Sequence, residues 1–347
     1  MADPAAFASF VVVGAGAIGC HVGGRLAASG ANVVLVARGR NREALAAGGL
    51  AVTDLDGFRA VLAPDRLRLA ATPEQAAAMA GGKAFVLLCV KGPATQAAAA
   101  GLAASFPAGT PVLSLQNGID NVGRIRSAAP GLVALAGMVP FNVALTVTAG
   151  QPVVAHRGTS GHLHAEDHPA VRTMAPAFAA AGLPLILCRD MAAVQWGKLL
   201  LNLNNPVNAL SGLPLKRQLM DRDCRRALAA LQTEALAVMK AAGIRPARVG
   251  AAPPALIPLI LRLPTWAFAR IAASMLSIDD RARSSMLDDI EAGRPTEIDD
   301  LCGAIVRLAD RAGTQAPLNR RMIELIEAHG AGKALSGADI LARLHAP

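Results

Sequence analysis

Lys198 lies in an otherwise strongly apolar segment, Gln195 to Asn205, that is predicted to be helical. Asn202 follows four residues later, so both side chains would lie on one face of the helix. A lysine with a partly buried ammonium group has a lowered pKa and can act as a general acid near neutrality, for example toward a carbonyl oxygen. The alternative is a lysine at the helix edge that extends to solvent. Spacing alone leaves both interpretations open.

A second polar cluster contains Ser284 and Ser285, and a turn at Gly293-Arg294 follows it. Pro295 or Thr296 is predicted to begin a helix with Glu297 in its first turn, where the positive end of the helix favours a carboxylate. That is a sufficient structural reason for an acid there. The functional alternative is that Glu297 orients Lys198 or binds the ribose of a cofactor.

A glycine-rich motif lies near the start of the chain, where a strand predicted at Phe10 to Val13 leads into G-x-G-x-x-G and a helix predicted at Ala17 to Ser29. In this context the three glycines serve a tight turn, close approach of a pyrophosphate, and close packing of helix on strand. The free N–H groups of the helix would hold the phosphates. The alternative is a structural turn. The predicted dinucleotide-binding residues are Gly14, Ala15, Gly16, Ala17, Ile18 and Gly19.

The end of the second predicted strand, Val33 to Val36, indicates which dinucleotide binds. An acid there would bind the ribose 2′-hydroxyl of NAD, but Arg38 follows instead and can pair with a 2′-phosphate. We therefore expect NADP(H), although an ordinary exposed arginine is the alternative. Lys91 and Asn117 follow two further predicted strands, where they would face the cofactor or be plain turn residues.

Before about residue 190, short apolar strands alternate with alanine-rich helices, which predicts a doubly wound, Rossmann-type parallel sheet. Among these strands are Ala84 to Leu88 and Pro111 to Leu115, and short pieces between Leu132 and His164 suggest more strands at the sheet edge. Strand patterns stop after Asp190. The predicted organisation is a Rossmann-like α/β domain at 1–189 and an all-α substrate domain at 190–347.

Composition excludes several classes of protein. The chain has 347 residues, is 53% hydrophobic and 17% charged, and carries a net charge of +9, which fits a folded protein that binds an anionic cofactor and an acidic substrate. Its basic residues are scattered and its aromatics few, which argues against nucleic acid. The apolar run 251–276 is interrupted by arginines and prolines, so it predicts buried helices rather than a membrane span. Five scattered cysteines predict reduced thiols in a cytoplasmic protein.

Other catalytic sites fit the sequence poorly. His162, His164, Glu166, Asp167 and His168 could gather around a metal, but a solvated strand end is the simpler interpretation, and we expect no metal. A lactate- or malate-type dehydrogenase would need a catalytic histidine, and none lies near Lys198 or Glu297 in sequence.

Taken together, these motifs resemble those of the ketopantoate reductase family. The resemblance covers nearly the whole chain and lies in the glycine motif, Arg38, Lys91, Gln116-Asn117-Gly118, Trp196-x-Lys198-x-x-x-Asn202, Ser284-Ser285-Met286 and Arg294-x-Thr296-Glu297-Ile298-Asp299. It implies a Rossmann domain, a helical domain, a cleft between them, and NADPH-dependent reduction of 2-dehydropantoate to (R)-pantoate in pantothenate biosynthesis.

By position, the resemblance implies that Lys198 is the proton donor. Asn117, Asn202, Asn205 and Ser285 would bind substrate, and Lys91, Asn117 and Glu297 would lie at the cofactor and the active centre. Cations and hydrogen-bond donors of this kind suit a substrate that carries a carboxylate and a hydroxyl.

The chain also departs from the family pattern. Asn205 matches less closely than Asn202, because one residue is missing before the Asn-Pro pair. Leu215 and Ala282 replace two expected asparagines, so a reductase of a different 2-oxo acid stays open. A non-catalytic NADP-binding sensor is a further alternative, which Lys198 and Glu297 disfavour. The sequence does not determine the oligomeric state, and a homodimer is only an open expectation.

Overall fold

The computed structural model describes residues 9–81, 83–250, 252–273, 282–330 and 332–346. The chain divides into two compact units, Met1–Met191 and Ala192–Pro347. The first contains every strand found in the described residues. They are β1 (Ser9–Val13), β2 (Val33–Val36), β3 (Leu50–Asp54), β4 (Arg59–Leu62), β5 (Arg68–Ala70), β6 (Ala84–Leu88), β7 (Pro111–Ser114), β8 (Val133–Met138), β9 (Val143–Thr146), β10 (Val153–Arg157), β11 (Leu163–Glu166) and β12 (Leu185–Cys188).

Eight of these strands form the main sheet of the first unit, in the order β12-β11-β8-β7-β6-β1-β2-β5. Its pairs are parallel except for β11 with β8. Alternate residues of β1 serve two separate cores, because Phe10 and Val12 pack on one face and Val11 and Val13 on the other. The predicted α/β fold with a doubly wound sheet is confirmed.

Helices cover this sheet. They are α1 (Ala17–Ala28), α2 (Gly39–Gly48), α3 (Pro73–Ala80), α4 (Thr95–Ser105), α5 (Asn121–Ala128) and α6 (Pro169–Ala180), with short 3₁₀ turns at Pro64–Arg66 and Gly92–Ala94. The predictions of β2 and β6 match the observed bounds, and those of β1, α1 and β7 differ by one residue.

The prediction for residues 132–164 was partly wrong. β8 and β11 do extend the main sheet, but β9 and β10 join β3 and β4 in a separate sheet of order β4-β3-β10-β9. The parallel pairing of β3 with β10 joins segments about a hundred residues apart, and such a pairing leaves no local pattern in the sequence.

In the described residues the second unit is helical, as predicted. Its helices are α7 (Met191–Asn202, which begins at the last residue of the first unit), α8 (Asn204–Ser211), α9 (Leu215–Met220), α10 (Arg222–Ala241), α11 (Ile257–Arg262), α12 (Thr265–Ile271), α13 (Ser285–Glu291), α14 (Ala304–Arg311), α15 (Pro317–His329) and α16 (Gly337–Leu344), with a 3₁₀ turn at Pro254–Leu256 and a π-helical turn at Asp299–Gly303. No helix in the described part of the chain is long and apolar enough to cross a membrane.

The expectation that the apolar run 251–276 is buried was wrong in part. The run does form α11 and α12, but Leu259, Trp266 and Ile271 are more than half exposed. Both helices are short, six and seven residues, so each buries one face and leaves the rest in solvent. Ala251 and residues 274–276 lie outside the described residues.

Candidate functional site

The glycine-rich loop lies at the carboxyl end of β1, where the order of the strands in the sheet reverses. β1 is flanked by β2 on one side and β6 on the other, and open α/β sheets bind ligands at such a point. Gly14 has φ 105°, a conformation that L side chains rarely adopt. A Cβ on Gly14 would lie 2.8 Å from the backbone nitrogen of Val90. The loop is therefore in direct contact with the segment that follows β6.

The start of α1 is suited to bind a diphosphate. Gly16 caps this helix without a side chain, and a Cβ built on Gly16 meets nothing within 4 Å. A Cβ on Gly19, by contrast, would collide with the carbonyl oxygen of Gly14. The first turn contains no acid, so its N–H groups and the positive end of the helix adjoin open space. These features fit a nicotinamide dinucleotide.

Arg38 lies two residues beyond β2, exposed, at the cap position of α2. Asn41, in the first turn of α2, donates a hydrogen bond from Nδ2 to the carbonyl oxygen of Ala15 at 2.9 Å. This contact fixes the segment that carries Arg38 to the glycine-rich loop. Sequence reasoning missed Asn41, because nothing in its local pattern indicates a partner 26 residues earlier.

Lys91 and Asn117 follow β6 and β7, which are parallel neighbours. They therefore lie at the same sheet edge as Gly14, Lys91 exposed and Asn117 half-buried. The structure thus brings the nucleotide-binding candidates of the first unit to one edge.

Lys198 lies in the second half of α7 and is half-buried. Burial lowers the pKa of its ammonium group to about 8, because desolvation penalises the charged form. The preceding Gly197 packs against a later segment, and a Cβ there would collide with the carbonyl oxygen of Ala247. Ala247 in turn donates a backbone hydrogen bond to Ala193 at 2.8 Å. Because of this burial, Lys198 gives up its proton more readily than an ordinary lysine.

Polar candidates surround the end of α7 and the start of α8. Asn202 is the last residue of α7 and is buried, whereas Asn205 in α8 is half-buried. Ser284 links α8 to α13, since its Oγ donates to the carbonyl oxygen of Asn205 at 3.4 Å and its N–H donates to Asn208 Oδ1 at 3.0 Å. Ser285 is the exposed first residue of α13. The structure therefore places the segments of Asn205 and Ser285 side by side.

Asn208 is a residue that sequence reasoning missed. It is fully buried, and its Nδ2 donates to the carbonyl oxygen of Leu213 at 2.8 Å while its Oδ1 accepts from Ser284. The helix predicted from the sequence ends at Asn205, so Asn208 lies outside it, and nothing in the local pattern shows that its amide is buried and needs partners. Asn208 holds the α8–α9 connection against the serine pair.

The predicted position of Glu297 in the first turn of a helix was wrong. The π-helical turn begins at Asp299 and is capped by Ile298, so half-buried Glu297 precedes it. The turn that leads to Glu297 is closed by the buried carboxylate of Asp289, which accepts from Arg294 Nε at 3.0 Å. Arg294, the first residue of the motif that contains Glu297, thus has a structural partner in Asp289 of α13.

The histidine-rich segment after β10 gathers no metal-binding set. No group of three or more His, Cys, Asp or Glu side chains suited to a metal ion occurs in the described part of the chain. Glu166 instead accepts a hydrogen bond from the backbone N–H of Ala136 at 3.0 Å, which fixes β11 to β8.

Two family models match this chain in succession. Ketopantoate reductase PanE/ApbA matches residues 10–169, and Ketopantoate reductase PanE/ApbA C terminal matches residues 190–330. The chain belongs to the ketopantoate reductase family. It is therefore an oxidoreductase with a nicotinamide cofactor and a small keto acid substrate, and the resemblance inferred from its motifs is confirmed.

Individual relatives agree with this membership. A 2-dehydropantoate 2-reductase of Mesorhizobium japonicum is 28% identical, with 91% of this chain and 95% of that protein covered. A crystal structure of a PanE/ApbA family ketopantoate reductase from Ralstonia eutropha JMP134 is 30% identical with a TM-score of 0.74, and covers 92% of this chain and 97% of that one. A D-mandelate dehydrogenase solved with NADH and anilino(oxo)acetate has a TM-score of 0.71 at 17% identity, over 92% and 97% of the chains. It shares the fold.

Proposed function

We propose that this protein reduces 2-dehydropantoate to (R)-pantoate with NADPH, as a step of pantothenate biosynthesis. The observation that carries the proposal is Lys198, a half-buried lysine whose pKa is lowered to about 8. The amides of Asn202 and Asn205 and the hydroxyl of Ser285 are the candidate substrate-binding groups in the same unit. Membership of the ketopantoate reductase family also supports the proposal. The five cysteines are free thiols, which fits the cytoplasm, where we place this activity.

In the proposed mechanism, Lys198 donates a proton to the C2 carbonyl oxygen of the substrate. NADPH, when bound at the edge of the main sheet, would supply the hydride. A lysine with a pKa near 8 is largely protonated at neutral pH and gives up its proton more readily than an ordinary lysine, which is the compromise that general acid catalysis needs. Asn202, Asn205 and Ser285 orient the substrate by hydrogen bonds, and Glu297 positions Lys198 or the ribose next to the nicotinamide.

Cofactor binding is assigned to the residues at the edge of the main sheet. The loop Gly14 to Gly19 and the start of α1 hold the diphosphate, and Arg38 pairs with the 2′-phosphate. Lys91 and Asn117 contact the cofactor from the ends of β6 and β7, and Asn117 also reaches the substrate. The choice of NADPH rather than NADH is supported by Arg38 and by the absence of any acid between Ala37 and Arg42.

The deciding experiment is NADPH oxidation with 2-dehydropantoate, measured beside NADH. We expect turnover with NADPH and a lower kcat/KM with NADH. A protein that binds NADPH but oxidises it with no 2-oxo acid would contradict the proposal.

A second candidate substrate is a 2-oxo acid with an apolar side chain. The observation that favours it is the contact between the segments of Leu215 and Ala282, joined by a backbone hydrogen bond of 2.8 Å. Both residues are apolar, and Ala282 lies two residues before the Ser284–Ser285 pair. A panel of 2-oxo acids with NADPH distinguishes the two substrates.

A further inference from the structure

Gln116 is part of the Gln116-Asn117-Gly118 motif, yet the proposed function gives it no task. Its side chain is buried, with 7% of the residue exposed. Its Oε1 accepts a hydrogen bond from Ser114 Oγ at 2.9 Å. Its Nε2 donates to the carbonyl oxygen of Val90 at 2.8 Å and to Thr95 Oγ1 at 2.7 Å. The amide therefore uses its acceptor and both of its N–H groups inside the protein.

The hydrogen bonds continue from Gln116 to the other side of the motif. Thr95 Oγ1 donates to Asn121 Oδ1 at 3.0 Å, and Asn121 Nδ2 donates to the carbonyl oxygen of Asn117 at 2.6 Å. Thr95 and Asn121 are both buried. We call the side chains of Ser114, Gln116, Thr95 and Asn121 the Gln116 cluster.

The Gln116 cluster ends on backbone at two places that matter for the proposed function. One end is the carbonyl oxygen of Val90, which directly precedes Lys91, and the other is the carbonyl oxygen of Asn117. Val90 also touches the glycine-rich loop, since its nitrogen lies 2.8 Å from where a Cβ on Gly14 would be. A change in the Gln116 amide would thus displace the segment that carries Lys91 relative to the segment that carries Asn117.

A purely structural role does not account for the cluster well. Apolar side chains of the same size would fill this interior without desolvating four polar groups, whereas a fully satisfied set of hydrogen bonds in low dielectric fixes one geometry. We propose that Gln116 is a positioning residue for cofactor binding, which holds the backbone of Lys91 at a fixed distance from Asn117. The inference rests on the proposed function, because Lys91 and Asn117 are cofactor residues only there.

The test uses the full-length protein and NADPH as the probe. Gln116→Met keeps the size of the side chain and removes its hydrogen bonds, and Thr95→Val removes the link between Gln116 and Asn121 more gently. Thr110→Val is the matched control, because Thr110 is equally buried and its Oγ1 donates to the carbonyl oxygen of Pro107 at 2.7 Å, at the opposite end of β7. For each variant we would measure the thermal unfolding midpoint and the Kd for NADPH by fluorescence titration.

We expect all three variants to unfold at lower temperature. Gln116→Met and Thr95→Val should also weaken NADPH binding by about tenfold, and Thr110→Val should leave the Kd within about twofold. In a Lys91→Ala/Asn117→Ala background, Gln116→Met should change the Kd by less than about threefold, because Gln116 acts through those residues. Thr95→Val still tests the inference if Gln116→Met fails to fold.

Two outcomes would overturn the inference while leaving the proposed function intact. One is an unchanged Kd in Gln116→Met and Thr95→Val, in a wild-type protein that binds NADPH. The other is an equally large effect of Gln116→Met in the Lys91→Ala/Asn117→Ala background. Absence of NADPH binding by the wild-type protein would instead reject the proposed function itself.

Discussion

The backbone N–H of Leu215 donates a hydrogen bond to the carbonyl oxygen of Ala282 at 2.8 Å. The two positions at which the resemblance to the family leads us to expect asparagines are therefore neighbours in the fold. Leu215 is buried and Ala282 half-buried, and the serine pair follows Ala282 within three residues. The two departures thus lie side by side, and neither side chain can form a hydrogen bond.

We predict that the apolar side chains of Leu215 and Ala282 weaken the ability of the enzyme to distinguish 2-dehydropantoate from an analogue that lacks its hydroxyl. The matched pair is 2-dehydropantoate and 3,3-dimethyl-2-oxobutanoate, which differ only in that hydroxyl. A site built to hydrogen-bond a hydroxyl rejects the analogue without it by about 10⁴-fold or more, whereas an apolar site discriminates by about 10²-fold or less. We expect the wild-type ratio of kcat/KM values to fall in the lower range.

Ala282→Asn should then shift that ratio toward 2-dehydropantoate by about five- to tenfold, since an added amide can pair with the hydroxyl. Ala282→Val is the control for added bulk, and it should change kcat/KM for both acids alike. A wild-type protein that already rejects the analogue by about 10⁴-fold would show that other groups bind the hydroxyl.

Lys198→Ala should lower kcat for NADPH-dependent reduction by about 10²- to 10⁴-fold, the usual contribution of a general acid. The Kd for NADPH, measured by fluorescence, should stay near the wild-type value. Lys240→Ala is a matched control, since Lys240 is an exposed lysine in the last turn of α10, and it should retain full turnover. Full turnover in Lys198→Ala would rule out the proposed proton donor.

The pH dependence of reduction should follow the pKa of Lys198. Burial lowers this pKa to about 8, and only the protonated form can donate. The kcat/KM for reduction should therefore be constant below about pH 7 and fall above pH 8, by about tenfold per unit once Lys198 is deprotonated. Oxidation of the alcohol should show the opposite slope, because it needs the neutral amine. A profile for reduction that stays flat through pH 9 would contradict this assignment.

The sequence predicts the nucleotide half of the fold well, because its information is local. Strand, glycine motif and helix follow one another between Ser9 and Ala28, and continuous apolar runs mark β2 and β6 because both of their faces are covered. β3 and β10 were not recognised as partners, since a pairing across about a hundred residues depends on tertiary packing rather than on local preference.

The candidate site divides in the same way. The helix that carries both Lys198 and Asn202 is predicted from the sequence, and their four-residue spacing predicts that they share a face of it. The partners of Gln116, Asn41 and Asn208 are not predicted, because each hydrogen-bonds a residue on another element, at distances along the chain that no motif encodes. Sequence patterns can suggest which side chains meet a ligand, but the side chains that hold those residues in place emerge only from the folded structure.

Arg38→Ala should lower the preference for NADPH over NADH. Removing a guanidinium that pairs with the 2′-phosphate should raise the Kd for NADPH by about 10- to 100-fold, since hydrogen bonds between charged groups contribute about 1.5–3 kcal/mol. The Kd for NADH should change little. Arg59→Ala is the matched control, because Arg59 is an exposed arginine on β4 of the second sheet. Equal loss of affinity for both cofactors would show that Arg38 does not recognise the phosphate.

The buried carboxylate of Asp54 should be important for the stability of the first unit. Its Oδ2 accepts from Arg25 at 2.9 Å and from Arg157 at 3.2 Å, and its side chain is 2% exposed. Arg25 also donates to the carbonyl oxygens of Ala181 and Gly182. Asp54→Ala leaves the buried guanidinium group of Arg25 without its anion and leaves Arg157 with only the exposed carboxylate of Asp56. It should therefore lower the free energy of unfolding by about 3–5 kcal/mol.

Lowering the pH should also reduce the free energy of unfolding, gradually, as Asp54 becomes protonated. Burial by itself raises the pKa of Asp54, but backbone N–H groups of Phe58 and Asp56 and the charges of Arg157 and Arg25 together lower it below its ordinary value. The unfolded chain therefore binds the proton more readily than the folded one. Stability from this group is complete above about pH 5 and is lost as the pH falls through the lowered pKa. Urea unfolding between pH 7 and pH 3 should show this loss in the wild-type protein and a smaller one in Asp54→Ala, and equal slopes would contradict the assignment.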